Sequence, residues 1–330
     1  MRWRLGALAV LVVCAVALGA CVSGMVSMPG TSYAGAPVAP DEAVVVSLKN
    51  DVTHLAVDIG ERNVINTPAA LEVTAAWLRE RLTALGYEIK EQPYGVGERT
   101  VKNLIVEVKG GALASELVIV GAHYDTAPGN PGADDNGSGV AVALSLAEHF
   151  AKQQPRRTLR FIFFTNEEPP FFRKATMGSE VSAKKSREAN EDIKAMLSLE
   201  TMGYFTDAPN TQHYPWPFSV FYPSTRHFIG FVADTESRAL AHQVAGTFRA
   251  HATIASEGST PPRFIKGIDW SDHGPYWRAG YQALMVTDTA PFRNPHYHEA
   301  TDLPATMDFP RLARVTVGLE AVVRDLASPR

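Results

Sequence analysis

Apolar and polar residues along this chain fall into two alternating rhythms. Leu71, Ala75, Leu78, Leu82 and Leu85 recur at helical spacing. The run begins at Thr67-Pro68, an N-cap candidate with proline at the first helical position, and Gly86 stops it. Helical character also starts near Asp41 and covers 137–150, 237–250 and 309–326. Between these lie short continuous apolar runs. Leu117–Gly121 (LVIVG) and Leu159–Phe164 (LRFIFF) read as strands buried on both faces, as parallel strands are. Val101–Val108, Ala195–Leu199 and Ala283–Val286 are further strands. Strands alternating with helices predict an α/β fold, a mostly parallel central sheet flanked by helices. The stretch 205–234, rich in proline and aromatics, carries no clear period and is expected to form a lid or cleft wall.

The first forty residues follow other rules. Met1-Arg2-Trp3-Arg4 is a short basic segment, and Leu5–Ala20 is an uncharged, mostly apolar run. That run is short for a membrane span and suits the core of a signal peptide, here residues 1–20. It ends Leu18-Gly19-Ala20-Cys21, small residues before a cysteine, which resembles the lipobox of bacterial lipoproteins. The expectation is an exported chain, lipid-anchored to the cell envelope through Cys21, with a tether over 21–40 rich in Ser, Gly, Pro and Ala. A single catalytic domain over 41–330 follows. Cys14 and Cys21 are the only cysteines, so that domain has no disulfide to rely on. Formal net charge is −4, or −6 once residues 1–20 and their two arginines are removed. With no basic stripe, a nucleic-acid partner is not expected.

Candidate chemistry sits where the strands end. His123 follows LVIVG, Glu167-Glu168 follow LRFIFF, and Glu200 follows Ala195–Leu199. Ligands of open α/β sheets bind at the carboxyl ends of strands. Asp134-Asp135 and His298 lie in loops. Asp134-Asp135-Asn136-Gly137 alone would be a turn, and a lone histidine is more often packed than ligating. Taken together, His123, Asp135, Glu168, Glu200 and His298 supply the donors that two neighbouring zinc ions need. Glu167 is left beside them as a general base. His273 is read as structural or cleft-lining, because the donor count is already full.

The strings HYD (123–125), GADDNGSG (132–139), NEE (166–168), LETMG (199–203), SDHGPYW (271–277) and NPHYHEATD (294–302) occur in order. Together they resemble the co-catalytic dizinc peptidases, the group of bacterial leucyl aminopeptidase, aminopeptidase Y and glutamate carboxypeptidase. The resemblance spans about 42–326. It implies the three-layer zinc exopeptidase fold and two Zn2+ per chain. It implies His123 and Glu200 on one ion, Glu168 and His298 on the other, and Asp135 between them. Asp125 would orient His123, Glu167 would serve as base, and Tyr297 would polarise the scissile carbonyl. Many members carry Asp at the position of Glu200, which remains an oxygen donor. The implied activity is peptide hydrolysis, most readily as an aminopeptidase. A carboxypeptidase or amidohydrolase, a glutaminyl cyclase of the same fold, and a receptor-like domain that has lost its metals are the alternatives. The last should have lost ligands, and none is missing here.

Overall fold

The computed structural model describes Gly19, residues 22–214 and residues 218–329. The leader and Cys21 expected from the sequence lie outside the described residues. Eight strands form one sheet: β1 (Lys90–Val96), β2 (Arg99–Val108), β3 (Leu113–His123), β4 (Arg157–Phe164), β5 (Asp192–Glu200), β6 (Phe228–Ala233), β7 (Ala255–Ser259) and β8 (Ala283–Thr287). Their order is β1-β2-β4-β3-β5-β8-β6-β7. The centre, β4-β3-β5-β8, is parallel. The β1/β2, β2/β4 and β8/β6 pairings are antiparallel, so the sheet is mixed.

Among the described residues after the helical stretch 22–26, the α-helices that cover it are α1 (Glu42–Thr53), α2 (Pro68–Ala84), α3 (Gly139–Phe150), α4 (Gly178–Glu188), α5 (Arg238–His251), α6 (His273–Arg278) and α7 (Phe309–Ala327). The period-two alternation of strand side chains divides the core in two. Val118 and Val120 of β3 join Phe161, Phe163 and Leu197 in the cluster that holds residues of α1, α2, α3, α5 and α7. Ile119 joins Ile162, Phe164 and Met196 with Ala183 of α4 and Tyr276 and Trp277 of α6. Helices therefore lie on both faces, and this double burial is why the central strands read as unbroken apolar runs.

The sequence reading differs from the structure in places. Thr67 does not cap α2: its hydroxyl accepts instead from the Asn63 N–H at 3.1 Å. The helix expected from Gly137 starts at Gly139, after a wide turn over Ala133–Ser138. Strand β6 lies inside the stretch left unassigned, and β1 and β7 had no apolar signal. β1 is a largely exposed edge strand, tied to β2 through a two-residue turn in which Gly97 takes φ +59°.

Part of the stretch read as a tether, residues 25–32, makes contacts with the domain. The chain docks along the free edge of β7, which pairs only with β6. The Thr260 N–H donates to the Met25 carbonyl at 2.8 Å, and the Ser256 N–H to the Ser32 hydroxyl at 2.9 Å. Arg249 donates to the carbonyls of Met28, Pro29 and Gly30 at 3.0, 3.2 and 3.2 Å. The Met28 side chain is buried against Gly258, where an added Cβ would lie 2.5 Å from it. This strap satisfies donors that an open edge would leave to solvent or to another chain. Met28→Ala is expected to cost about 2 kcal/mol of unfolding free energy, the low end for a truncated core methionine. A urea titration reads it, and an unchanged midpoint would mean that the strap does not stay docked in solution.

Candidate metal centre

Strands β3, β4, β5 and β8 point the same way, so their carboxyl ends meet at one edge. His123 ends β3, Glu200 ends β5, and Glu167 and Glu168 follow the end of β4. Asp135 comes from the turn before α3, and His298 from the loop after β8, at φ +59°. All five expected donors come together. His123 Nε2 lies 3.4 Å from Asp135 Oδ1 and 3.4 Å from Glu200 Oε2. His298 Nε2 lies 3.1 Å from Asp135 Oδ2 and 3.0 Å from Glu168 Oε2. Three donor groups result, His123/Asp135/Glu200, Asp135/Glu168/His298 and His123/Glu167/Glu168, and each offers atoms within 4.8 Å of one another; the first two together use all five expected donors. Asp135 belongs to both, with one oxygen facing each histidine.

These donors fit a cation. Both Asp135 oxygens, Glu168 Oε1 and both histidine Nε2 atoms are buried with no hydrogen-bond partner. Leaving such groups unpaired is costly, and a metal ion satisfies them all. His123 presents the right nitrogen, because its Nδ1 sits 3.2 Å from the Asp125 carbonyl oxygen and donates there, freeing Nε2 as a ligand. The Asp125 carboxylate is 3.6 Å from the same Nδ1. It also accepts from the Glu167 and Glu168 N–H groups at 3.2 and 3.3 Å, so one residue aligns three members of the site.

Charge points the same way. Burial first, and then Asp135, pushes the Glu168 carboxyl up to about 8. Glu167 is raised well above its ordinary value by burial, with Glu200, Glu168 and Asp272 adding to the effect against the pull of His123. Burial alone would lower His298, yet its bonds to Asp135 and Glu168 raise it to about 11. Asp135 is held low despite burial because both histidines face it. Among the described residues, the ion pairs made by these donors are with the two histidines alone. Tyr297 stacks on His298, with ring centroids 3.9 Å apart, and burial beside four acids lifts its phenol well above the usual range.

A main-chain framework that the sequence reading did not single out fixes the donor loops. The Asp302 carboxylate accepts from the Asp134 and Asp135 N–H groups at 2.9 and 3.1 Å. Asp134 accepts from the N–H groups of Met202 and Gly203 and from Asn294 Nδ2. Ser271 donates to Glu200 Oε2 at 2.6 Å. Arg62, fully buried, donates only to carbonyls, those of Tyr124, Pro131 and Gly132 among them, at 2.8, 2.7 and 2.9 Å. Asp302 and Ser271 stood inside strings already noted, whereas Arg62 lies far upstream with no motif around it. Asp272 is also buried beside the donors, with both carboxylate oxygens unpartnered, and burial raises it to about 7. His273 is structural: its Nε2 contacts the Ile268 carbonyl at 2.7 Å, and its ring packs on Trp277.

Beside the donors opens a cleft of about 140 Å³. Tyr214, Phe218, Tyr222, Phe228 and Trp270 line it, and it reaches Glu200 and Tyr297. The expected cleft wall from 205–234 is thus supplied by its aromatics.

A mixed α/β sheet whose parallel centre carries a buried, cation-seeking donor set at its carboxyl edge is the architecture of a metal-dependent hydrolase. The model of peptidase family M28 matches residues 103–323, and the chain belongs to that family of zinc-dependent peptidases. It is 33% identical over 292 residues to the Escherichia coli K12 protein YfbL, covering 86% of this chain and 88% of that one. A protein of Arthroderma otae described as a probable leucine aminopeptidase is 28% identical over 223 residues, 62% of this chain and 53% of that one. The fold is also that of BSAP, a zinc aminopeptidase from Bacillus subtilis (TM-score 0.67, 15% identity, 86% of this chain and 95% of that one). A glutaminyl cyclase of Porphyromonas gingivalis shares it too (TM-score 0.60, 19% identity, 84% and 97%).

The pH dependence of stability follows from the raised carboxyls. Without metal, Glu168 holds its proton in the folded chain up to about 8, and Asp272 up to about 7, whereas unfolded they release it near 4.5 and 3.8. The folded state binds more protons over that window, so metal-free stability falls as pH rises from about 5 to 8. A cation needs the donors deprotonated, so zinc should restore most stability at the upper end. Melting temperatures at both pH values, with and without zinc, check this. In a second test, Arg62→Met leaves several buried carbonyls unpaired and should cost about 3 kcal/mol or more by urea titration.

Proposed function

We propose that this chain is an exported aminopeptidase that works with two zinc ions. His123 and Glu200 would hold one ion, Glu168 and His298 the other, with Asp135 shared. The observation that carries this reading is Asp135, whose two oxygens face two separate donor groups. When bound, zinc supplies Lewis-acid polarisation of the scissile carbonyl and lowers the pKa of bound water toward ~7.

The chain's own residues do the rest. Glu167, buried, proton-seeking and outside the two donor groups that share Asp135, takes the proton of the attacking water and returns it to the leaving amine. Tyr297 keeps its proton at neutral pH and can donate it as a hydrogen bond to the charge developing on the carbonyl oxygen. Asp125 keeps His123, Glu167 and Glu168 in register. The aromatic cleft suits the apolar side chain of the residue to be released. The surplus of carboxylates favours a substrate's free α-ammonium over a carboxylate, which supports an aminopeptidase over a carboxypeptidase. Two complete donor groups favour it over the single-ion glutaminyl cyclase. A signal peptide over 1–20, lipid on Cys21 and a catalytic domain over the remainder complete the proposal and set it at the cell envelope.

Glu167→Gln should keep its zinc, by metal analysis, and lose at least ~100-fold in kcat. Full turnover in that variant would remove Glu167 from the role of base. The unsubstituted enzyme should release N-terminal Leu or Phe from free peptides and spare N-acetylated ones. Trimming of the blocked peptides from the other end would make it a carboxypeptidase.

A further inference from the structure

Around the cleft mouth the surface changes character. Phe264 is 83% exposed and Val220 75%, and Phe221 is exposed as well. Among the described residues, Phe221 and Phe264 are the exposed phenylalanines. They flank the same opening: Phe218 and Tyr222 line the cleft on either side of Val220-Phe221, and Ile265 and Lys266 line it directly after Phe264. Lys266 has no acidic partner among the described residues and lies 5.8 Å from the Trp270 ring. A bare apolar rim with an unneutralised cation is an uneconomical surface to leave in water, and such patches mark docking sites.

The strap indicates what covers it. Met25 is hydrogen-bonded to Thr260, four residues before Phe264. Cys21 stands four residues before Met25, so an extended chain places it no more than about 14 Å from that contact. A lipid carried on Cys21 would thus be held within that reach of Thr260, on the side of the molecule where Phe264 is exposed. We infer that this rim rests on the lipid bilayer: Phe264, Val220 and Phe221 enter the headgroup region, and Lys266 meets anionic lipid. The strap ties the anchor to the cleft side of the sheet, so the catalytic domain stands against the membrane with one face and not on a long leash. The inference takes its direction of approach from the anchor proposed at Cys21.

The test uses the full chain with Phe264→Cys carrying an environment-sensitive dye, mixed with vesicles of equal parts phosphatidylcholine and phosphatidylglycerol with brominated acyl chains. Val73→Cys is the control, exposed on α2 over β2 at the opposite end of the sheet. The mature chain has no other cysteine than Cys21. Dye attachment to the unsubstituted protein, once mass spectrometry shows residues 1–20 removed, therefore reports a free Cys21, and so tests the anchor separately. The expected result is several-fold stronger quenching at 264 than at 73. Strong quenching at 264 with Cys21 free would support the rim while removing the anchor. Equal, weak quenching at both positions overturns the proposal, whether or not the chain floats with the vesicles. A dye shift at 264 that grows with protein concentration without vesicles overturns it in favour of self-association.

Discussion

The structure is organised around an excess of buried negative charge. Asp125, Asp135, Glu167, Glu168, Glu200 and Asp272 are all buried near one end of β3, and the basic side chains paired with the donors are His123 and His298. Interiors do not tolerate such a surplus unless something positive joins it. Protonation is one remedy, and it is what lifts Glu168 and Asp272 toward neutral pH. Metal binding is the other. The same arrangement that burdens the bare fold thus becomes affinity for cations and, at Glu167, a carboxylate ready to take a proton.

Holding mutually repelling groups in place requires rigid scaffolding, and main-chain hydrogen bonds supply most of it. The carboxylate of Asp302 pins the backbone of Asp135, and that of Asp125 pins Glu167 and Glu168. Arg62 gathers the carbonyls of the surrounding loops. Its positive charge sits close enough to favour Asp125, Asp302, Asp135 and Glu168, although burial itself lowers its pKa to about 10. Acids that lie outside the donor set thereby decide where the donors point.

The central sheet was legible from simple periodicity, LVIVG and LRFIFF being buried on two faces, and the candidate donors His123, Glu168 and Glu200 because chemistry collects where such strands end; Asp135 and His298 lie in loops and stood out only through the strings around them. Among the strands that escaped detection, β1 is exposed and polar and β7 (Ala255–Ser259) is short and rich in small residues, so their strand character comes from pairing partners, which one sequence does not display. β6 carries the same buried apolar run (FIGFVA) but follows a proline-rich segment without a period, which masked it. Arg62 escaped because its role is set by carbonyls far away in sequence, and the strap because residues 22–40 read as linker by composition alone.

That strap joins residues separated by more than two hundred positions, with Met25 and Thr260 235 apart. Its partner strand is made long after the strap itself has been synthesised, so the edge of β7 is completed late and only by an intact chain. Loss of the first residues after Cys21, by proteolysis or truncation, would expose β7 as a bare template for strand addition. The N-terminal segment therefore doubles as a seal against aggregation, and a shortened form of this protein should be judged by its solubility before its activity.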